Sequence, residues 1–249
     1  LPEYEAKDAR ESDCRMWVGS VMYPARGTRF DLIAPICRLA RHVASWTSES
    51  QEHLQNLFSY MKSSVTKVIS FKCTGDPSET LTLELYTDSD HAGASDRYSI
   101  SGAVAVLRGS ESSLCTLQWL SRRQSVISLS STEAELGGIV DGLRMLDEVI
   151  DLLNFFNLEY TVKIYCDNDA CRTVCERGYS AKLSYMSKTR QINASWIPVY
   201  VAAVGGSIER VSTHFNLSDI FTKILPTEKI ESFCAWLGLV PAPSGVTCG

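Results

Sequence analysis

Ser128–Val140 reads SLSSTEAELGGIV, and the placement of its two glutamates decides the architecture of the chain. From about Thr132 to Phe156 the apolar residues recur at helical spacing. Projected at roughly 100° per residue, Leu136, Ile139, Val140, Leu143, Leu146, Ile150 and Leu153 fall in one sector, with Glu135 inside it near an edge and Glu133 toward the opposite margin. Two capping boxes can be written at the helix start, Ser130 with Glu133 or Thr132 with Glu135. In the first, Glu135 has no capping role and stands on the packed side, where a lone carboxylate needs a cation or a raised pKa. In the second, Glu135 is itself the cap and no metal is required.

Working outward, LTLELYTD at 81–88 alternates as a strand does. Two further strand-like runs, 100–107 and 114–120, are joined by the turn-like RGSESS, which predicts antiparallel hairpins. Beyond the helix come a strand over 162–166, a short helix stopped by Gly178, a strand near 208–211, a helix around 217–225 and a last helix opened by Pro226 and running to Leu237. Three consecutive strands followed by alternating helix and strand predict an α/β fold with a mixed five-stranded sheet flanked by helices. Upstream, Ile33, Ile36, Cys37, Leu39 and Ala40, then Leu54, Leu57, Phe58 and Met61, recur at helix spacing. With CTGDPSE at 73–79 read as a linker, the expected organisation is a small helical segment over 1–75, the α/β domain over 80–238 and a tail over 239–249.

Three aspartates fall where this topology can bring them to Glu135. Asp88 ends a strand in YTDSD, Asp167 ends a later strand in IYCDND, and Asp219 enters a late helix in LSDIFTK. Carboxylates at the ends of neighbouring strands, and at the starts of helices packed on them, can converge on one point. Each also has a local explanation: Asp88 and Asp167 suit strand-end turns, and Asp219 could answer an Asn216 cap. Together the four suit two hard cations with oxygen ligands, most simply Mg²⁺, with Mn²⁺ as an alternative. Two such ions about 4 Å apart activate a water and stabilise the leaving oxygen in phosphodiester cleavage.

Composition narrows the field. The 249 residues are 45% apolar and 21% charged, as in an ordinary globular protein, and the longest apolar runs, such as IPVYVAAV, fall far short of the roughly 20 residues that cross a bilayer. The charged start LPEYEAKDARESD has no apolar core, so no secretory signal is expected, and the absence of an initial methionine suggests a piece of something longer. Nine cysteines without a C-x-x-C pair read as reduced thiols, and four histidines without ligand spacing to a cysteine pair argue against zinc. A net charge of −5 excludes a simple basic nucleic-acid sleeve but not acids that hold metal ions against phosphate. Asp88-Ser89-Asp90 also fits the D-x-D of a haloacid dehalogenase phosphatase, but that fold needs a helix and crossover next, where this chain continues into strand-like YSISGAVAVL.

YTDSDHAG, the SISG of the next strand, QWLSRRQSVISLSSTEAE, IYCDNDA and LSDIFTKILP, in that order, resemble the ribonuclease H domain of copia-type LTR retrotransposon polyproteins. WVGSVMYPARGTRFDLIAPICRLARHV and HLQNLFSYMKSSVT resemble the thumb and connection segment that joins the reverse transcriptase to this domain, and ESFCAWLGL resembles the usual end, so the likeness spans nearly all of the chain. The resemblance implies a ribonuclease H-like fold, metal binding at Asp88, Glu135, Asp167 and Asp219, and Glu135 rather than Glu133 as the helical ligand. It further implies two Mg²⁺ ions and hydrolysis of the RNA strand of an RNA–DNA hybrid, leaving a 3′-hydroxyl and a 5′-phosphate. The implied partner is the polymerase part of the same polyprotein, and the implied location is a cytoplasmic virus-like particle or the nucleus. The chain departs from the family at His91, where an aromatic is usual, at MSKTRQINASW, where a histidine-containing basic stretch is usual, and at Phe30, where proline is common. No adjacent pair of aspartates occurs, so polymerase chemistry is not expected.

Secondary candidates surround this set. His214, five residues before Asp219, could protonate a leaving group or assist product release, or be a solvated loop histidine. Arg122, Arg123 and Gln124 could contact phosphates, or form an exposed hairpin corner. Lys188 and Arg190, with Lys182, make a second basic set. The competing function is a catalytically silent or domesticated copy that serves as a structural or interaction subunit of a larger assembly.

Overall fold

The computed structural model describes residues 13–91, 97–189 and 192–243; Arg190 and the end of the expected tail, 244–249, lie outside them. The chain divides into two compact units, Leu1–Ile69 with Leu239–Gly249, and Ser70–Gly238.

In the first unit the helical periodicity upstream becomes α1 (Cys14–Gly27), α2 (Ile33–Ala40) and α3 (Ser48–Ser63), followed by a short strand β1 (Lys67–Ile69). Phe30, Leu32, Ile36 and Leu54 are fully buried there, so the unusual Phe30 is a core residue. Thr47 caps α3 by accepting from the Ser50 amide at 3.1 Å. The Arg29 guanidinium forks onto both oxygens of Asp31, at 2.9 and 2.8 Å, and donates to the Ser64 carbonyl and hydroxyl, while Tyr60 donates to Asp31 at 2.7 Å. The closing residues differ from the expected tail: Leu239–Pro241 form a strand antiparallel to β1, with Lys67 opposite Pro241 and Ile69 opposite Leu239.

The unit boundary falls at Ser70, ahead of the expected linker, because CTGDPSE is tied to the hairpin of the second unit. Lys72 and Leu114 exchange main-chain hydrogen bonds, and Glu79 accepts from the Ser113 amide and hydroxyl, the Glu111 amide and the Thr74 hydroxyl. The hydrogen bonds from Ser113 and Thr74 hold the Glu79 carboxyl down at about 2.

The second unit is built on strands β2 (Leu81–Asp90), β3 (Ile100–Gly109), β4 (Leu114–Arg123), β5 (Tyr160–Cys166) and β6 (Gly206–Arg210) in the order β4-β3-β2-β5-β6. β2, β3 and β4 pair antiparallel, while β5 runs parallel to both β2 and β6. This is the mixed five-stranded sheet that the sequence predicts. Helix α4 (Ser131–Phe155) packs Leu136, Ile139, Leu143 and Leu146 against Leu83, Leu85, Ala103 and Ala105 of the sheet. α5 (Asp169–Arg177) ends as expected at Gly178, which is left-handed at φ 69°. Two helices fall in the region without clear periodicity, α6 (Met186–Thr189) and α7 (Trp196–Ala203). The helix expected around 217–225 is a single turn, α8 (Asp219–Thr222), because Lys223 is already extended ahead of Pro226; α9 (Thr227–Trp236) follows. Among the described residues no helix is long and apolar enough to cross a membrane, and none of the eight described cysteines is in a disulfide.

Candidate metal centre

The ambiguity at the start of α4 resolves in favour of the first capping box. Ser130 is the N-cap and accepts from the Glu133 amide at 3.2 Å, and Glu133 reaches back to accept from the Leu129 amide at 2.7 Å. Glu133 is 1% exposed and also accepts from the Tyr185 hydroxyl at 2.8 Å. Glu135 is thereby left without a capping role, 7% exposed, with its Oε2 buried and without a hydrogen-bond partner.

The sheet register delivers two more acids to it. In the parallel pair, Tyr86 lies opposite Tyr165 and their rings stack at 4.6 Å. Asp88 stands two residues further along β2 and Asp167 directly follows the last residue of β5, so neighbouring strands bring both acids to the same edge of the sheet. Asp88, Glu135 and Asp167 then offer one oxygen each, all within 4.8 Å of one another. Burial pushes the Glu135 carboxyl up to about 10, with Asp88 the next contributor. Burial also raises Asp88; Lys223 and the Thr222 hydroxyl oppose that rise, while Asp219 and Asp167 add to it. Three clustered carboxylates, one with an orphaned buried oxygen, fit a hard divalent cation with oxygen ligands.

Asp219, the fourth expected ligand, is differently engaged. It is 1% exposed at the start of α8, but Lys223 Nζ lies 2.6 Å from its Oδ1 and Lys229 Nζ 2.7 Å from its Oδ2. Lys223 also reaches Asp88, 3.2 Å from each carboxylate oxygen, and the Thr222 hydroxyl donates to Asp88 Oδ2. Asp219 thus stands beside the cluster of three, with each of its oxygens held by a lysine. Burial disfavours the charge on Lys223, but Asp88 and Asp219 together outweigh it and raise its pKa. Lys223 carried a readable signal, since it follows Asp219 at i,i+4 in LSDIFTK. Lys229 carried none: it arrives from the next helix.

The secondary candidates separate. Arg122, at the end of β4, lies 3.6 Å from Asp141 and lines a cleft with Arg144 and Ile192, and the Arg123 guanidinium sits 4.3 Å from the centre of the Tyr98 ring. Gln124 is turned into the fold. It is 6% exposed, donates to the Ala134 carbonyl at 2.8 Å and the Ser101 hydroxyl at 3.1 Å, and accepts from Ser128 at 3.0 Å. His214 is exposed in a turn whose neighbour, Thr213, accepts from Lys229. Lys188 is exposed on α6.

No protein-family model matches the chain. It is 27% identical over 236 residues to the "Retrovirus-related Pol polyprotein from transposon RE2" of Arabidopsis thaliana, a match that covers 93% of this chain and 15% of the relative. The chain thus spans about 15% of the length of that relative. Over 119 residues it is 32% identical to "Secreted RxLR effector protein 161" of Plasmopara viticola, covering 47% of this chain and 78% of that protein. Among solved structures, LC11-RNase H1 from compost is 15% identical and matches over 61% of this chain and 96% of its own, with a TM-score of 0.40.

Proposed function

We infer that this chain, which belongs to the copia-type retrotransposon Pol polyproteins, is a metal-dependent endonuclease that hydrolyses the RNA strand of RNA–DNA hybrids within such a polyprotein. The observation that carries the reading is the buried, partnerless Oε2 of Glu135 beside Asp88 and Asp167. A carboxylate in that position is tolerated only if it is protonated or faces a cation.

Asp88, Glu135 and Asp167 would hold the cation from two strand ends and one helix. A divalent ion there would polarise the scissile phosphate and acidify the attacking water. The water adds to phosphorus, the P–O3′ bond breaks, and the products carry a 5′-phosphate and a 3′-hydroxyl. Arg122 and Arg123 would grip the backbone, and His214, exposed beside the Lys229 anchor, would return a proton to the 3′-oxygen. Preference for the RNA strand would come from 2′-hydroxyls read along a shallow minor groove. The polymerase part of the polyprotein is the natural partner for presenting such a hybrid.

The engagement of Asp219 by two lysines favours a second reading, a catalytically silent copy that acts as a structural or interaction subunit. A hybrid with a labelled RNA strand, incubated with the full chain in Mg²⁺ or in EDTA, separates the two. Cleavage that needs Mg²⁺ and is lost in Asp88→Asn supports the nuclease. No cleavage by the wild-type chain in Mg²⁺ or Mn²⁺ sinks it.

A further inference from the structure

We propose that Lys223 is the resident second cation of this centre, so that the chain holds one divalent ion, on Asp88, Glu135 and Asp167, and not the two that its acids alone suggest. The proposal rests on the metal-centre reading above. A second ion would have to sit where Asp88 and Asp219 face each other, because Asp219 is the acid left over once the triad is filled and Asp88 is the triad member that shares a lysine with it. That place is taken. Lys223 Nζ is 2.6 Å from Asp219 and 3.2 Å from both oxygens of Asp88, so one ammonium group bridges the two carboxylates as a shared cation would.

Three features fix the ammonium there. Asp219 has no open oxygen, since Lys229 holds Oδ2 at 2.7 Å. The Thr222 hydroxyl donates to Asp88 from the same turn, one residue before Lys223. The turn that carries the lysine is packed closely on β3 at Gly102, where an added Cβ would meet Thr222 Cγ2 at 2.5 Å. The triad side is different in kind: Glu135 Oε2 is buried with no donor at all.

Charge leads to the same count. Asp88, Glu135, Asp167 and Asp219 with Lys223 and Lys229 leave a formal charge of minus two when all are ionised, which one divalent ion neutralises. A second ion would leave the buried centre positive and place it against an ammonium group at contact distance, where like charges repel strongly. Lys223 is on this account a positioning residue: it orients Asp88 for the triad ion and supplies the charge that a second ion would otherwise bring.

The test is Mn²⁺ binding to the full chain by calorimetry, paired with the Mg²⁺ dependence of hybrid cleavage. The wild-type chain should bind one Mn²⁺, and its activity should rise with a Hill coefficient near 1. Lys223→Met, similar in length but uncharged, should admit a second, weaker Mn²⁺, lose activity about tenfold or more at low Mg²⁺, and recover it at high Mg²⁺ with a Hill coefficient above 1. Two Mn²⁺ ions in the wild-type chain overturn the proposal and leave the nuclease reading intact. So does a Lys223→Met variant that still binds one ion with unchanged Mg²⁺ dependence. If that variant does not fold, the wild-type stoichiometry decides alone. No Mn²⁺ in the wild-type chain, or binding indifferent to Glu135→Gln, removes the metal centre itself and the proposal with it.

Discussion

A Cβ built on Gly138 of α4 lies 3.0 Å from the main-chain oxygen of Asp88. The helix that carries Glu135 can approach the strand that carries Asp88 only because this position has no side chain. Gly142, one turn on, repeats the device: its Cβ would meet Thr87 Cγ2 at 2.8 Å. Gly138→Ala therefore sets two effects against each other. Helix propensity favours alanine by about 1 kcal/mol, whereas overpacking costs about 1–3 kcal/mol. The strain is relieved by moving α4 off β2, which separates Glu135 from Asp88. Mn²⁺ affinity should fall about tenfold, ~1.4 kcal/mol, as read by calorimetry. A higher Tm with unchanged affinity would contradict this packing account.

Glu135→Gln should stabilise the metal-free chain and abolish metal binding. The Glu135 carboxyl is pushed up to about 10 from an ordinary 4.5, chiefly by burial. Between those values the folded chain holds a proton on this group that the unfolded chain has released. Its contribution to stability is thus complete below pH 4.5 and is lost as pH rises through about 10. In EDTA the variant should melt higher than wild type at pH 8 and by a smaller margin at pH 5, each kcal/mol being worth about 2–4 °C. In Mn²⁺ the order should reverse, because only the wild-type chain gains from binding. Equal melting at pH 8 in EDTA would mean that Glu135 has a partner after all.

Much of this centre was legible because it is written in periodicities. Alternation in LTLELYTD located β2, helical spacing located α4, and the S-x-x-E spacing from Ser130 to Glu133 offered the one of two caps that leaves Glu135 without a capping role. The convergence of Asp88 and Asp167 followed from strand ends. What escaped is what depends on through-space contact or lacks a period. α7 is apolar nearly all round, with Pro198 in its first turn, so WIPVYVAA has no face to read. The partners of Asp219 arrive from two helices, and the burial of Gln124 depends on a loop that folds back over α4. The strand at Leu239–Pro241 is three residues long, too short to alternate visibly.

Asp31→Ala should cost the first unit about 3–5 kcal/mol, the usual penalty for removing one partner of a buried ion pair. The Asp31 side chain is fully buried and the Arg29 side chain 10% exposed, so the guanidinium would keep its Ser64 contacts but lose its countercharge. Tyr60 would lose its acceptor as well. Hydrogen exchange of the amides in α3 and β1 should report the loss. Replacing the pair together, as Arg29→Met with Asp31→Leu, should recover most of it, because no buried charge is then stranded. Equal destabilisation by the single and double variants would assign the cost to packing.

Gln124 distinguishes a strut from a substrate contact. Its amide bridges Ala134 in the first turn of α4, Ser101 of β3 and Ser128 in the loop leading to the Ser130 cap. Gly137 lies within 2.9 Å of that amide, measured from a built Cβ, so the side chain is clasped and not merely covered. Gln124→Met keeps the length but strands buried polar groups, at about 1–3 kcal/mol. The loss should appear as a lower Tm and, through a looser start to α4, as weaker Mn²⁺ binding in the absence of any nucleic acid. A phosphate contact predicts the opposite pattern: Tm and Mn²⁺ affinity unchanged, with a higher KM for the hybrid and a shallower salt dependence. Arg122→Ala is the reference for that pattern, because Arg122 is exposed and its ion pair with Asp141 is long at 3.6 Å. If Gln124→Met behaves like Arg122→Ala, the amide faces substrate and the buried network is not its role.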